Sequence, residues 1–191
     1  MAKVFDEIDD HLRRWIARQR MFFVATAPLS GDGSVNVSPK GPIDTLRVLG
    51  PREVAYLDHH GSGNETVAHL RENGRIVVML CAFEGPPKIV RLHGRGEVIR
   101  HGDARFDELM LEWGFEALGP EASFRSIIRV DVERISDSCG YGVPLMSFEG
   151  EREHYRLSVE KKERVMGADG YRAMAEQRGA ASIDGLPALA E

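Results

Sequence analysis

The feature that most constrains this chain is a succession of short β-type runs, each closed by glycine, proline or asparagine. Met21 to Ala27 is rich in strand formers and runs into Ser30-Gly31-Asp32-Gly33, a strong turn signal. Val35 and Val37 then alternate with Asn36 and Ser38, so the two runs read as a hairpin. Pro39 and Pro42 break regular structure around Lys40-Gly41. Thr45 to Leu49 and Glu53 to Leu57 are two further strands about the Gly50-Pro51 turn. Arg75 to Phe83 is almost continuously apolar and predicts a strand buried on both faces.

In the next run, Lys88 to Arg100, a period of two sets Val90, Leu92, Gly94, Gly96 and Val98 against Arg91, His93 and Arg95. Gly94 and Gly96 weaken that strand and predict a bulge or a close backbone approach. The last clear strand is Arg125 to Ile135. Helices are fewer and peripheral. Val4, Phe5, Ile8, Leu12, Trp15 and Ile16 fall at helical spacing. Val67 to Asn73 is a short helix stopped by Asn73-Gly74 and capped by Asn64 or Ser62. Asp103 to Leu118 and Glu151 to about Arg178 complete the set.

About six or seven short strands with outer helices, and no regular strand–helix alternation, predict a mainly β fold with peripheral α. An antiparallel barrel with helices outside is the expected architecture. The 191 residues suit one domain, with 1–150 as the barrel and 151–191 as its helical C-terminal extension.

The start of the chain has acidic residues and no apolar core of a secretory signal, and no window is apolar enough to span a bilayer. A net charge of −5 argues against nucleic acid as the main partner. Cys81 and Cys139 lie far apart and suggest no disulfide framework, so a reducing cytoplasm is the expected compartment.

Three constellations bear on chemistry. Asn36, Val37, Ser38, Pro39 and Lys40 form a strand end from which amides, a hydroxyl and a cation could reach a ligand. Lys40 would pair with a phosphate or with a heterocycle that gains negative charge on reduction; the alternative is a solvated hairpin end. Ser62, Gly63, Asn64 and Thr66 precede a helix whose free amides could take an anion, or they simply cap it. Arg91, His93 and Arg95 are a basic wall or a solvated face. His59-His60 point apart in an extended chain, and no ligand spacing for zinc accompanies them. No Gly-x-Ser-x-Gly elbow occurs, and Cys139 lacks a local activating partner.

Together, VNVSPKG, LDHHGSGNETVAHLREN, IVVMLCAFEGPPKIVRLHGRGEV and SCGYGVP resemble the flavin-nucleotide-binding branch of the pyridoxamine 5′-phosphate oxidase-like proteins. The resemblance implies a split β-barrel of Greek-key type, a homodimer, and FMN in clefts between subunits. It implies that Asn36 to Lys40 flank the flavin ring, that Ser62, Gly63, Asn64 and Thr66 hold the ribityl phosphate, and that Arg91 assists. A flavin-dependent oxidoreductase follows, with a nicotinamide cofactor or a small molecule as hydride partner. A flavin carrier or sensor without turnover is the alternative reading. A deazaflavin or haem guest is another, the haem using His93 or His59. The pyridoxal-forming oxidases carry an arginine–lysine pair at the phosphate turn and an arginine-rich C-terminal segment. Here the turn reads Asn64-Glu65-Thr66 and no such segment follows, so pyridoxamine phosphate oxidation is not expected.

Overall fold

The computed structural model describes residues 3–189. Eight strands form one antiparallel sheet: β1 (Val4–Phe5), β2 (Phe22–Thr26), β3 (Asn36–Lys40), β4 (Leu46–Gly50), β5 (Glu53–His59), β6 (Arg75–Cys81), β7 (Ile89–Arg100) and β8 (Phe124–Ser138). Their order is β3-β2-β6-β7-β8-β5-β4, with β1 beside β8. Around the sheet lie α1 (Asp10–Ala17), α2 (Glu65–Asn73), α3 (Ala104–Trp113) and α4 (His154–Arg178). The mixed fold of a mostly antiparallel sheet with outer helices matches the expectation. The hydrogen-bonded order among the described residues is an open path from β3 to β4. The sheet nonetheless curls, because Phe22 of β2 meets Tyr56 of β5 edge to face with ring centres 5.4 Å apart.

That curl encloses the main core. Val24, Ile76, Val78, Leu80, Val90, Leu92, Ile128, Val130 and Ile135 all point into it, and α1 and α2 cover its ends with Leu12, Trp15 and Val67. A smaller cluster on the outer face joins Leu57, Ile99 and Ile127 to Phe106 of α3. Burying each such side chain is worth roughly 1.5–3 kcal/mol.

Several sequence expectations change in detail. Val4 and Phe5 are not helical; they pair with Ser136 and Ile135, because Asp9 caps α1 by accepting from the Leu12 amide at 2.7 Å. The apolar run Arg75 to Cys81 alternates, with Val77 and Met79 only half-buried on the outer side. Pro39 lies inside β3 rather than ending it, which an edge strand tolerates because its missing N–H faces no neighbour.

The break at Gly94 is a bulge. Register shifts between His93 and Gly94, and a methyl group on Gly94 would collide with the Asp131 carbonyl. The same on Gly96 would lie 2.7 Å from Leu70 Cδ2, so α2 packs directly on β7 through that glycine. Gly74 ends α2 as expected, in the left-handed conformation at φ 69°. Cys81 is buried, Cys139 is exposed, and both are free thiols. Among the described residues no helix is long and apolar enough to cross a membrane.

Candidate functional site

The inward side of β3 and the loop between β5 and α2 face each other across a shallow cleft of about 540 Å³. Asn36, Val37, Ser38, Pro39 and Lys40 form one wall, and Ser62 and Gly63 the other. These seven of the sequence-expected residues are therefore brought together by a hairpin and a loop that are 22 residues apart at their nearest, Lys40 to Ser62. Burial alternates along the wall: Asn36, Ser38 and Lys40 are half-buried, whereas Val37, between them, is 62% exposed.

Beneath the wall runs a polar network. Ser38 Oγ donates to Asn36 Oδ1 at 2.9 Å, and the Asn36 amide donates to Thr26 Oγ1 and Thr66 Oγ1 at 3.2 and 3.1 Å. Thr26 Oγ1 in turn shares a hydrogen bond with His69 Nδ1 at 2.9 Å. Burial holds the His69 imidazole below its usual range, so the ring is neutral. This network fixes which way the Asn36 amide faces.

Thr66 thus acts from underneath the cleft. Asn64 does not line the cleft either: it is buried, its amide donates to the Gly179 carbonyl at 2.9 Å, and its Oδ1 has no partner. Asn64 occupies the cap position of α2 without making the cap hydrogen bond. Arg91 is elsewhere, on β7, donating to Ser138 Oγ at 3.0 Å.

The sequence reading missed the electrostatic centre. Asp58 is 1% exposed and sits between two cations: Lys40 Nζ at 2.6 Å from one carboxylate oxygen and Arg125 at 2.8 Å from the other. Burial alone would raise its pKa; Arg125 first and then Lys40 overcome that and hold it well below the carboxylate range. Arg125 also donates to the Gly63 carbonyl at 2.7 Å, tying the loop to β8. One buried carboxylate against two cations leaves the triad itself with one net positive charge, and Glu65 lines the same cleft. A signal was available, since Asp58 falls on the same inward face of β5 as Val54 and Tyr56, where a charge demands partners.

Three further lining residues bear on the chemistry of the cleft. His59 is pushed down to about 4 by burial, with Lys40 and Arg125 adding to the effect against Asp58; its Nε2 accepts from the Leu118 amide at 3.2 Å. Glu65 lies against Gly63, where its carboxylate would collide with any added methyl group. Ile183, 75% exposed, comes from the C-terminal segment, which is strapped across the hairpin by Asp184 accepting from the Ser34 amide and hydroxyl at 2.6 and 2.9 Å.

A larger cavity of about 720 Å³ lies between α1 and the β6–β7 loop, but Arg20 and Lys88 on its rim already pair with Glu84 and Asp137. Among the described residues there is no cluster of metal-ligating side chains.

Comparison with known proteins agrees with this fold. The family model described as pyridoxamine 5′-phosphate oxidase matches residues 8–139, which include the whole cleft except Ile183. The chain belongs to the pyridoxamine 5′-phosphate oxidase family. It is 44% identical over 147 residues to the family protein ustO of Aspergillus flavus, covering 76% of this chain and 57% of that protein. The chain thus spans little more than half the length of that curated relative. Among solved structures, a Group A Streptococcus HupZ variant superposes with a TM-score of 0.53 at 20% identity, covering 69% of this chain and 99% of that one. A putative pyridoxamine 5′-phosphate oxidase from Corynebacterium glutamicum gives 0.50 at 11% identity, covering 72% and 96%. Both likenesses concern the fold.

Proposed function

We propose that the β3 cleft binds a flavin nucleotide, FMN, and that the protein is a flavin-dependent oxidoreductase of split β-barrel type. The observation that carries the reading is the meeting of Asn36 to Lys40 with Ser62 and Gly63 across one cleft, backed by the net positive charge of Lys40, Asp58 and Arg125. Family membership supports it.

The donor set fits the flavin ring. Lys40 offers an ammonium with hydrogens beyond the one given to Asp58, the Ser38 hydroxyl, donating to Asn36, offers its oxygen as an acceptor, and the exposed Gly61 has open space around its Cα. A cleft of about 540 Å³ lies within the roughly 300–1,000 Å³ usual for such ligands. Bound there, the flavin would supply two-electron hydride chemistry. The chain's own residues supply orientation and charge. The network from His69 through Thr26 to Asn36 sets a fixed amide edge. The triad holds a cation at the wall without reorganisation, which favours any negative charge that develops beside it. Asp58 stays ionised and takes no part in proton transfer, and His59 Nε2 accepts from the Leu118 amide.

The cleft is shallow, and a second subunit would close it. Exposed apolar side chains are available to such a contact: Val35 and Val37 at the start of the edge strand, and Tyr141, Leu145, Met146 and Phe148 after β8. A homodimer with the cofactor between subunits therefore completes the reading, and sedimentation at micromolar concentration would show it. The two free thiols suit a reducing cytoplasm.

Lys40→Ala tests the site. Weaker FMN binding in a fluorescence titration and a lower flavin reduction potential are expected. A variant matching the parent in both sinks the assignment of Lys40, and absence of FMN binding by the parent sinks the function.

A further inference from the structure

The loop Gly61-Ser62 borders two cavities. One is the β3 cleft. The other, about 470 Å³, lies between that loop and α4 and has Tyr155, Lys162, Tyr171 and Arg178 among its walls. Gly61 and Ser62 are both exposed, so the loop is a low rim that a ligand can cross.

The two sides of this rim differ in charge. On the cleft side, a carboxylate of the chain itself stands at the start of α2, since Glu65 lies against Gly63. No ion pair to Glu65 occurs among the described residues, so its charge opposes a second anion there. On the α4 side, Lys162 stands over the Tyr171 ring at 5.9 Å, and neither it nor Arg178 is in a salt bridge among the described residues. Glu163 acts on Tyr171, but it is not one of the residues lining the cavity. The floor is firm: Tyr171 and Ala175 are buried, and the Tyr155 hydroxyl donates to the His60 carbonyl at 2.8 Å, locking α4 to the loop.

We infer that α4, through Lys162 and Arg178, holds the phosphate end of the flavin nucleotide, which crosses Gly61-Ser62 instead of seating on the N-terminus of α2. The inference rests on the flavin reading above and places the cofactor phosphate in a cavity that residues 154–178 create. Two cations outside any salt bridge among the described residues, both on the walls of one cavity, suit a phosphate. Glu65 supplies the matching exclusion on the other side of the rim.

The test compares FMN with riboflavin, which lacks the phosphate, by flavin fluorescence titration of the full chain. Lys162→Gln with Arg178→Gln is expected to weaken FMN at least tenfold and to leave riboflavin within twofold; the unchanged riboflavin affinity also reports an intact fold. Glu65→Gln is expected to alter FMN affinity less than threefold. The inference is overturned if the double variant binds FMN as the parent does, or if Glu65→Gln strengthens FMN tenfold or more. Riboflavin bound with the FMN ratio unmoved overturns the inference alone. Failure of the parent to bind either flavin overturns the flavin reading, and this inference with it.

Discussion

Replacing Asp58 with asparagine should destabilise the protein by about 3–5 kcal/mol, the usual cost of removing one partner from a buried ion pair. The structure puts this case at the costly end. Asp58 is 1% exposed and the Arg125 side chain 4%, so the guanidinium left behind cannot regain water. It keeps one hydrogen bond, to the Gly63 carbonyl. Lys40 is 20% exposed and can turn outward, so most of the cost belongs to Arg125. The assay is urea unfolding at pH 7 followed by circular dichroism, with Asp58→Asn and Arg125→Met measured each alone and together. The double variant should recover a large part of the loss, because it removes the stranded charge. A single-variant loss below about 1 kcal/mol, or a double variant worse than the sum of the singles, would refute the reasoning.

Other outcomes follow from the same geometry. The His59 and His60 imidazoles are each held near 4, by burial first, whereas the unfolded chain titrates near 6.5. The unfolded state therefore binds more protons between those values. Stability should fall as pH drops from about 6.5 toward 4, by roughly 3 kcal/mol for His59, with His60 acting in the same direction; a flat profile of unfolding free energy over that range would contradict it. Gly94→Ala should cost more than about 2 kcal/mol, since its methyl group meets the backbone of Asp131 rather than a movable side chain, and thermal unfolding measures this. Asp184→Ala should release the C-terminal strap from Ser34 and speed amide exchange in residues 180–189, with the core strands unaffected.

What the sequence made legible is what period and turn chemistry encode locally. The alternation of Ile128, Val130 and Val132 gave β8, the Asn73-Gly74 pair gave the end of α2, and Asn36 to Lys40 stood out as a wall because polar and apolar side chains alternate there. What it hid depends on register between distant segments. Arg125 reaches Asp58 only because Asp58 is the cross-strand partner of Ser126, 68 residues later in the chain. Asn64 reads as a cap by its position, yet its amide is spent on Gly179, over a hundred residues away. Val4 and Phe5 have helical spacing with Ile8 and Leu12, and only the cap at Asp9 and the free edge of β8 turn them into a strand.

The measurement that bears most directly on the central claim is amide hydrogen exchange of the protein with and without FMN. Protection confined to residues 34–40, 59–65 and the facing side of α4 is the predicted result. An unchanged pattern, or protection gathered instead around Trp15 and the β6–β7 loop, would contradict the assignment of the β3 cleft.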